Sequence, residues 1–153
     1  MAGMTNKGKA RIYNGFFRNT SVPTNLYIAL ITAATAPTAD TNTMADLTQI
    51  AAGNGYTDGG YQLNRDSTDF DTLTEDDTND WALIQIKDVV WTASGGSIPA
   101  SGNGARYAVC TDDNATVANR EVITWWDLAS EHSVGSGGTI TLRNLEIRLK
   151  EAT

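Results

Sequence analysis

A single histidine and a single cysteine narrow the chemistry open to this chain of 153 residues. His132 sits in ASEHSVGSGG, a turn-rich stretch with no second His or Cys at metal-ligand spacing. No G-x-S-x-G elbow occurs, so a Ser/His/Asp triad has no sequence support. Cys110 ends the strand-like run RYAVC beside apolar Val109 and is expected to be a packed core thiol, with no intrachain disulfide possible. The remaining candidate is the acidic run Asp66, Asp69, Asp71, Glu75, Asp76, Asp77 and Asp80, whose oxygens suit a hard cation such as calcium. It lacks EF-hand spacing and the glycine of that loop, and Asp112-Asp113-Asn114 opens a similar pattern without finishing it. A solvated loop is therefore expected there, with calcium as the alternative. Two of these carboxylates could serve glycoside hydrolysis only beside an aromatic-lined cleft, of which the sequence gives no sign. The glycine-rich runs Gly53 to Gly60 and Gly95 to Gly104 lack the Lys and Ser/Thr of a phosphate-binding loop and read as turns. No enzymatic activity, metal or cofactor is expected.

Charge separates the chain into regions. The net charge is -7 and the pI about 4.5, which argues against a nucleic-acid surface, since that needs clustered cations to displace counterions. Basic residues collect at the ends instead: Lys7, Lys9, Arg11 and Arg18 in the head, Arg143, Arg148 and Lys150 in the tail. The head reads either as a set of solvated cations or as an arm docking on an acidic neighbour. No apolar run approaches the roughly 18 residues a membrane span requires, so no membrane partner is expected. The N-terminus MAGMTNKGKARIYNG lacks the apolar core of a signal peptide, which implies a protein made in the cytosol.

The elements that must carry these residues are mostly strands. LYIALIT (Leu26 to Thr32) is apolar on both faces and belongs in the middle of a core. Further strands are expected at Tyr61 to Arg65, Trp81 to Lys87, Val89 to Ala93, Ala105 to Thr111, Glu121 to Leu128 and Thr139 to Leu149. In the last of these the apolar positions switch from Ile140 and Leu142 to Leu145, Ile147 and Leu149. A β-bulge near Arg143 and Asn144 would restore one inward face; otherwise the two halves are buried on both sides or pack against different sheets. The best helix is Lys7 to Arg18, where Ile12 and Phe16, then Tyr13 and Phe17, repeat at four-residue spacing and form a stripe able to lie on a sheet. Gly15 within it costs about 1 kcal/mol against Ala. A second short helix is expected from Met44 to Ala51, started by Thr43 and Asp46 in capping-box order. Of Trp125 and Trp126, adjacent in a strand, one fills the core and the other is expected to look outward. Trp126 is taken as the candidate interface anchor. Strand count and spacing suit an all-β, jelly-roll-like β-sandwich, residues 21-153, preceded by an N-terminal arm or helix, residues 1-20, that packs on the domain or extends from it.

Three stretches together resemble a known family. They are NGFFRNTSVPTNLYIALITAAT from Asn14 to Thr35, GNGYTDGGYQL from Gly53 to Leu63, and the paired segments WALIQIKDVVWT and Tyr107 to Leu128, which close on VITWWDL. Their order, with the loop ASGGSIPASGNG before RYAVC, resembles that of small phage virion structural proteins, of the capsid decoration (cement) or tail-fibre-like kind. The acidic insert Ser67 to Asp80 and the long loops have no counterpart in that pattern. The resemblance implies a decoration protein on the capsid surface of the virion, assembled in the host cytoplasm. Its implied partners are the major capsid protein and further copies of itself in a homotrimer. A tail or tail-fibre component is the near alternative, and a carbohydrate-binding module stacking sugars on Trp91 or Trp126 the distant one. The expected contact residues are Lys7, Lys9, Arg11, Arg18, Phe16, Phe17 and Trp126. The competing reading has Ile12, Phe16 and Phe17 merely cap the domain's own core.

Overall fold

The computed structural model describes residues 2–150; Met1 and the last three residues, which the expected arm and domain include, lie outside the described residues. The chain is all-β with one helix near its N-terminus. In order it runs β1 (Ala2–Met4), α1 (Asn6–Phe17), β2 (Asn25–Ile31), β3 (Tyr61–Asn64), β4 (Thr72–Asp76), β5 (Trp81–Ile86), β6 (Val89–Thr92), β7 (Ala105–Thr111), β8 (Val122–His132), β9 (Thr139–Leu142) and β10 (Leu145–Lys150). A five-stranded sheet has the order β1-β8-β7-β2-β3, a three-stranded sheet the order β10-β5-β4, and β6 pairs with β9. All these pairings are antiparallel.

Strand β2 lies inside the large sheet, and Ile28, Ala29, Leu30 and Ile31 have no exposure at all. Alternate side chains serve two different clusters, because successive strand residues point to opposite faces. Ile28 and Leu30 join Ala108, Cys110 and Trp126 against Ile86, Val89, Trp91, Ile140 and Leu145 of the small sheets. Ala29 and Ile31 join Val109, Val122 and Met44 on the far side.

The small sheets are two halves of one broken ladder. Ile86 pairs with Leu145 and Val89 with Leu142, so both strands break at the same level. Asn144 takes a left-handed φ of 54° there, and Arg143 pairs with Asp88 across the break at 3.2 Å. The change of apolar phase between Leu142 and Leu145 thus marks two halves in different sheets rather than a bulge within one strand. Similarly, the helix expected over Met44 to Ala51 is only a 3-10 turn, Met44–Asp46. Asp46 does accept from the backbone N–H groups of Asn42 and Thr43, at 2.8 and 3.0 Å. Beyond it, Ile50 donates to Leu30 O and Thr32 to Thr48 O, so the chain extends alongside β2 instead of winding on. A sheet edge with open hydrogen-bonding groups outcompetes a one-turn helix.

The N-terminal segment is clamped to β8. Strand β1, absent from the sequence expectation, pairs Gly3 with Trp125 and Met4 with Thr124. Thr5 is fully buried: its hydroxyl donates to the Val122 carbonyl and accepts from the N–H of Gly8 at 2.9 Å, capping α1. A β-carbon on Gly8 would stand 2.2 Å from the Ile123 carbonyl oxygen, so only glycine lets the helix come this close. Gly8→Ala is therefore expected to cost about 1–3 kcal/mol by overpacking. Thermal unfolding followed by circular dichroism should show it as a drop of about 2–4 °C per kcal/mol. Gly135→Ala, whose β-carbon would meet nothing within 4 Å, should leave the midpoint unchanged.

Candidate interaction surface

The clamp decides which way the helix faces. Its inner side carries Gly8 against the β8 backbone, with Lys7 on Glu121 at 3.4 Å and Arg11 on both Glu121 and Asp112, the latter at 3.2 Å. Gly15 faces Val22. The stripe of Ile12, Tyr13, Phe16 and Phe17 is consequently on the outside, with Phe16 82% and Phe17 72% exposed. Phe17 meets Phe16 edge-on with ring centroids 5.0 Å apart and Tyr13 at a tilt with centroids 5.9 Å apart, forming an aromatic tip. This reverses the ordinary arrangement, in which the apolar stripe of a surface helix faces the core. The expectation that these side chains lie on the sheet or cap the domain's own core is thereby corrected.

Of the expected contact residues, Lys7 and Arg11 are spent within the domain, while Lys9 and Arg18 are exposed. Among the described residues neither Lys9 nor Arg18 has an acidic partner. Trp126 is not an outward anchor. It is 6% exposed in the main core and donates from Nε1 to the Glu146 carbonyl at 3.0 Å. Trp125 is half-buried on the opposite face, its indole lying across Gly3 of β1. The expectation of one outward Trp fails because β1 lies beside β8 and the second face has its own cluster. With Trp91 also buried, both expected sugar-stacking platforms are closed.

Beside the helix, a groove of about 570 Å³ opens between the large and the three-stranded sheets. Met4, Ile12, Leu26 and Ile123 line one wall and Leu73, Ile84 and Leu149 the other. Leu73 is 78% and Leu149 48% exposed, since the core-facing side of β4, β5 and β10 runs past the last residues that cover it. The groove shares Leu73, Ala82 and Leu149 with an acidic hollow lined by Glu75, Asp77 and Asp80. Neither Leu73 nor Leu149 is among the contact residues expected from the sequence. Signals for both exist: Leu73 is, with Phe70, one of two large apolar residues in an acidic run, and Leu149 continues the two-residue period of Leu145 and Ile147.

The acidic run is built rather than loose. Asp66 accepts from the N–H of Thr68 at 2.9 Å, Asp76 accepts from Thr78 and Asn79 at 3.0 Å each, and residues Thr72–Asp76 form β4. Only Asp69 is buried, paired with Lys87 and accepting from the Asn64 N–H at 2.6 Å. Among the described residues, no group of three or more His, Cys, Asp or Glu side chains is placed to hold a metal ion. His132 is exposed and lies 3.3 Å from both the Ser130 hydroxyl and the Leu128 carbonyl oxygen. Cys110 is fully buried, and that burial pushes its thiol up to about 12, the opposite of an activated nucleophile. Among the described residues, no helix is long and apolar enough to cross a membrane. Compared with known proteins, the chain matches no family model, no curated protein and no solved structure.

The Asp69–Lys87 pair predicts an acid-sensitive fold. The hydrogen bond from Lys87 holds the Asp69 carboxyl below the usual carboxylate range against the opposing effect of burial. A lowered folded value stabilises above the ordinary value of about 3.9, and that stability is lost as the pH falls through the folded value. Asp69→Asn should thus cost about 1–3 kcal/mol at pH 7. Urea unfolding at descending pH should show the gap to wild type closing as Asp69 protonates.

Proposed function

We propose that this chain is a virion structural protein, a capsid decoration (cement) protein that stabilises the phage head by binding across capsomers through area and shape. The observation that carries the reading is the reversed helix: the domain's most exposed aromatics lie on a rigidly clamped element beside an open apolar groove. Clusters of large exposed apolar side chains on soluble proteins mark surfaces that another protein covers. The sequence resemblance points to the same class, and the antiparallel strands, with the large sheet packed against the smaller ones, suit a jelly-roll-like sandwich. The partners in this reading are the major capsid protein and other copies in a homotrimer, with the protein residing on the capsid surface. Closed Trp91 and Trp126 remove the support for the carbohydrate-binding alternative.

The test is where the protein sits and how much of it there is. Purified particles should carry many copies over the head, seen by labelling or reconstruction, and particles lacking it should lose their genome at lower temperature. A few copies confined to the tail, or none on the particle, would overturn the assignment.

Removing the first residues would not isolate a contact surface, because Ala2 to Arg11 contribute β1, the buried Thr5 and most of the clamp. Deletion is expected to unfold or strongly destabilise the domain. Point changes on the outer face are the informative ones.

A further inference from the structure

We infer that the groove beside α1 is the seat for the aromatic helix tip of a second copy of this chain. This rests on the reading that the protein works by contact, and it names the occupant of that contact surface. The two halves match in polarity: Phe16 and Phe17 project from the helix end, and the groove between Ile12, Ile123, Leu73 and Leu149 is open and apolar there. Within one copy they leave each other unsatisfied, since both aromatics remain largely exposed beside an unfilled groove.

Charge supports the same occupant. Lys9 lies one turn before Tyr13 on the exposed helix face and Arg18 follows Phe17, so two cations without an acidic partner among the described residues flank the tip. The groove runs into the acidic hollow of Glu75, Asp77 and Asp80. In a chain of net charge -7, copies repel one another in general, and a cationic tip meeting an acidic groove end is an attraction that favours one orientation. The three aromatics, Tyr13 63%, Phe16 82% and Phe17 72% exposed, still have about 300–550 Å² to bury, taking about 150–250 Å² for a fully buried aromatic. That lies below the roughly 800 Å² per partner of a standard interface, so the association is expected to be weak and concentration-dependent.

The experiment is sedimentation of the purified full chain over a concentration series, with two defective variants. Wild type should associate, and association should weaken at high salt. The tip variant Phe16→Ser/Phe17→Ser and the groove variant Leu73→Asp should each be at least about a hundredfold weaker, the effect of removing central anchors. Both should keep the wild-type melting temperature within the narrow range of surface substitutions, because none of the three residues is part of the core. Mixing the two variants is the decisive arm: one retains an intact groove and the other an intact tip, so a mixed complex should form where neither forms alone. A monomeric wild type, undiminished association of either variant, or a mixture that stays monomeric would overturn the inference. If a monomeric wild type still binds particles, only the inference falls; if associating protein is absent from particles, only the proposed function falls.

Discussion

A strand with side chains fully buried on both of its faces needs a separate covering layer on each side, and β2 imposes that need on everything else. One layer is the broken ladder of β5–β6 and β9–β10, which bends at Asp88 and Asn144 and supplies Ile86, Trp91, Ile140 and Leu145. On the other side Met44 of the 3-10 turn, with Leu47 and Val117, packs on Ala29, Ile31, Val109 and Val122 of the large sheet. Breaking the ladder lets the same two chain segments cover the large sheet with both halves turned inward. The phase change of apolar residues at Arg143 and Asn144 is the sequence trace of that bend.

The covering of β8 has a different logic, and it produces the candidate surface. Small residues and buried polar groups, not an apolar stripe, hold α1 to the strand. Gly8 permits close approach, Thr5 caps the helix while bonding to β8, and Lys7 and Arg11 complete the inner side with Glu121 and Asp112. A helix fastened this way has no need to bury its aromatics in its own domain. Individually such exposed ion pairs contribute little, but together with the buried threonine and the β1 ladder they determine the orientation. The exposed stripe is then a structural consequence of the inner face being polar and small.

Much of the strand framework was legible from local pattern. Alternation and β-branched content located the cores of β2, β3, β5, β6, β7 and most of β8, and the lone Cys110 read correctly as core. Two strands escaped. β1 is three residues with no alternation to detect, and β4 lies in an acidic run whose composition resembles a solvated loop. Both are edge strands, held by a partner's hydrogen bonds rather than by their own apolar face. The Met44 helix failed for a related reason: its start signal was genuine, but the edge of β2 offered the following residues better backbone partners.

The candidate surface divides in the same way. Residue types by themselves determined that the chain carries an apolar and cationic head on an acidic domain, an almost charge-free central strand, and one His and one Cys without a second such residue at ligand spacing. Helical periodicity also determined that Ile12, Tyr13, Phe16 and Phe17 share a stripe. Which side of the helix that stripe occupies was decided only in three dimensions, because periodicity defines a face but not what it meets. The same holds for Trp125 and Trp126, which alternation assigns to opposite faces without saying that both faces are covered. Only the tertiary structure brings Leu73, Leu149 and Ile123, far apart along the chain, into one groove beside Ile12. That proximity depends on long-range strand pairing, which no local stretch of sequence encodes.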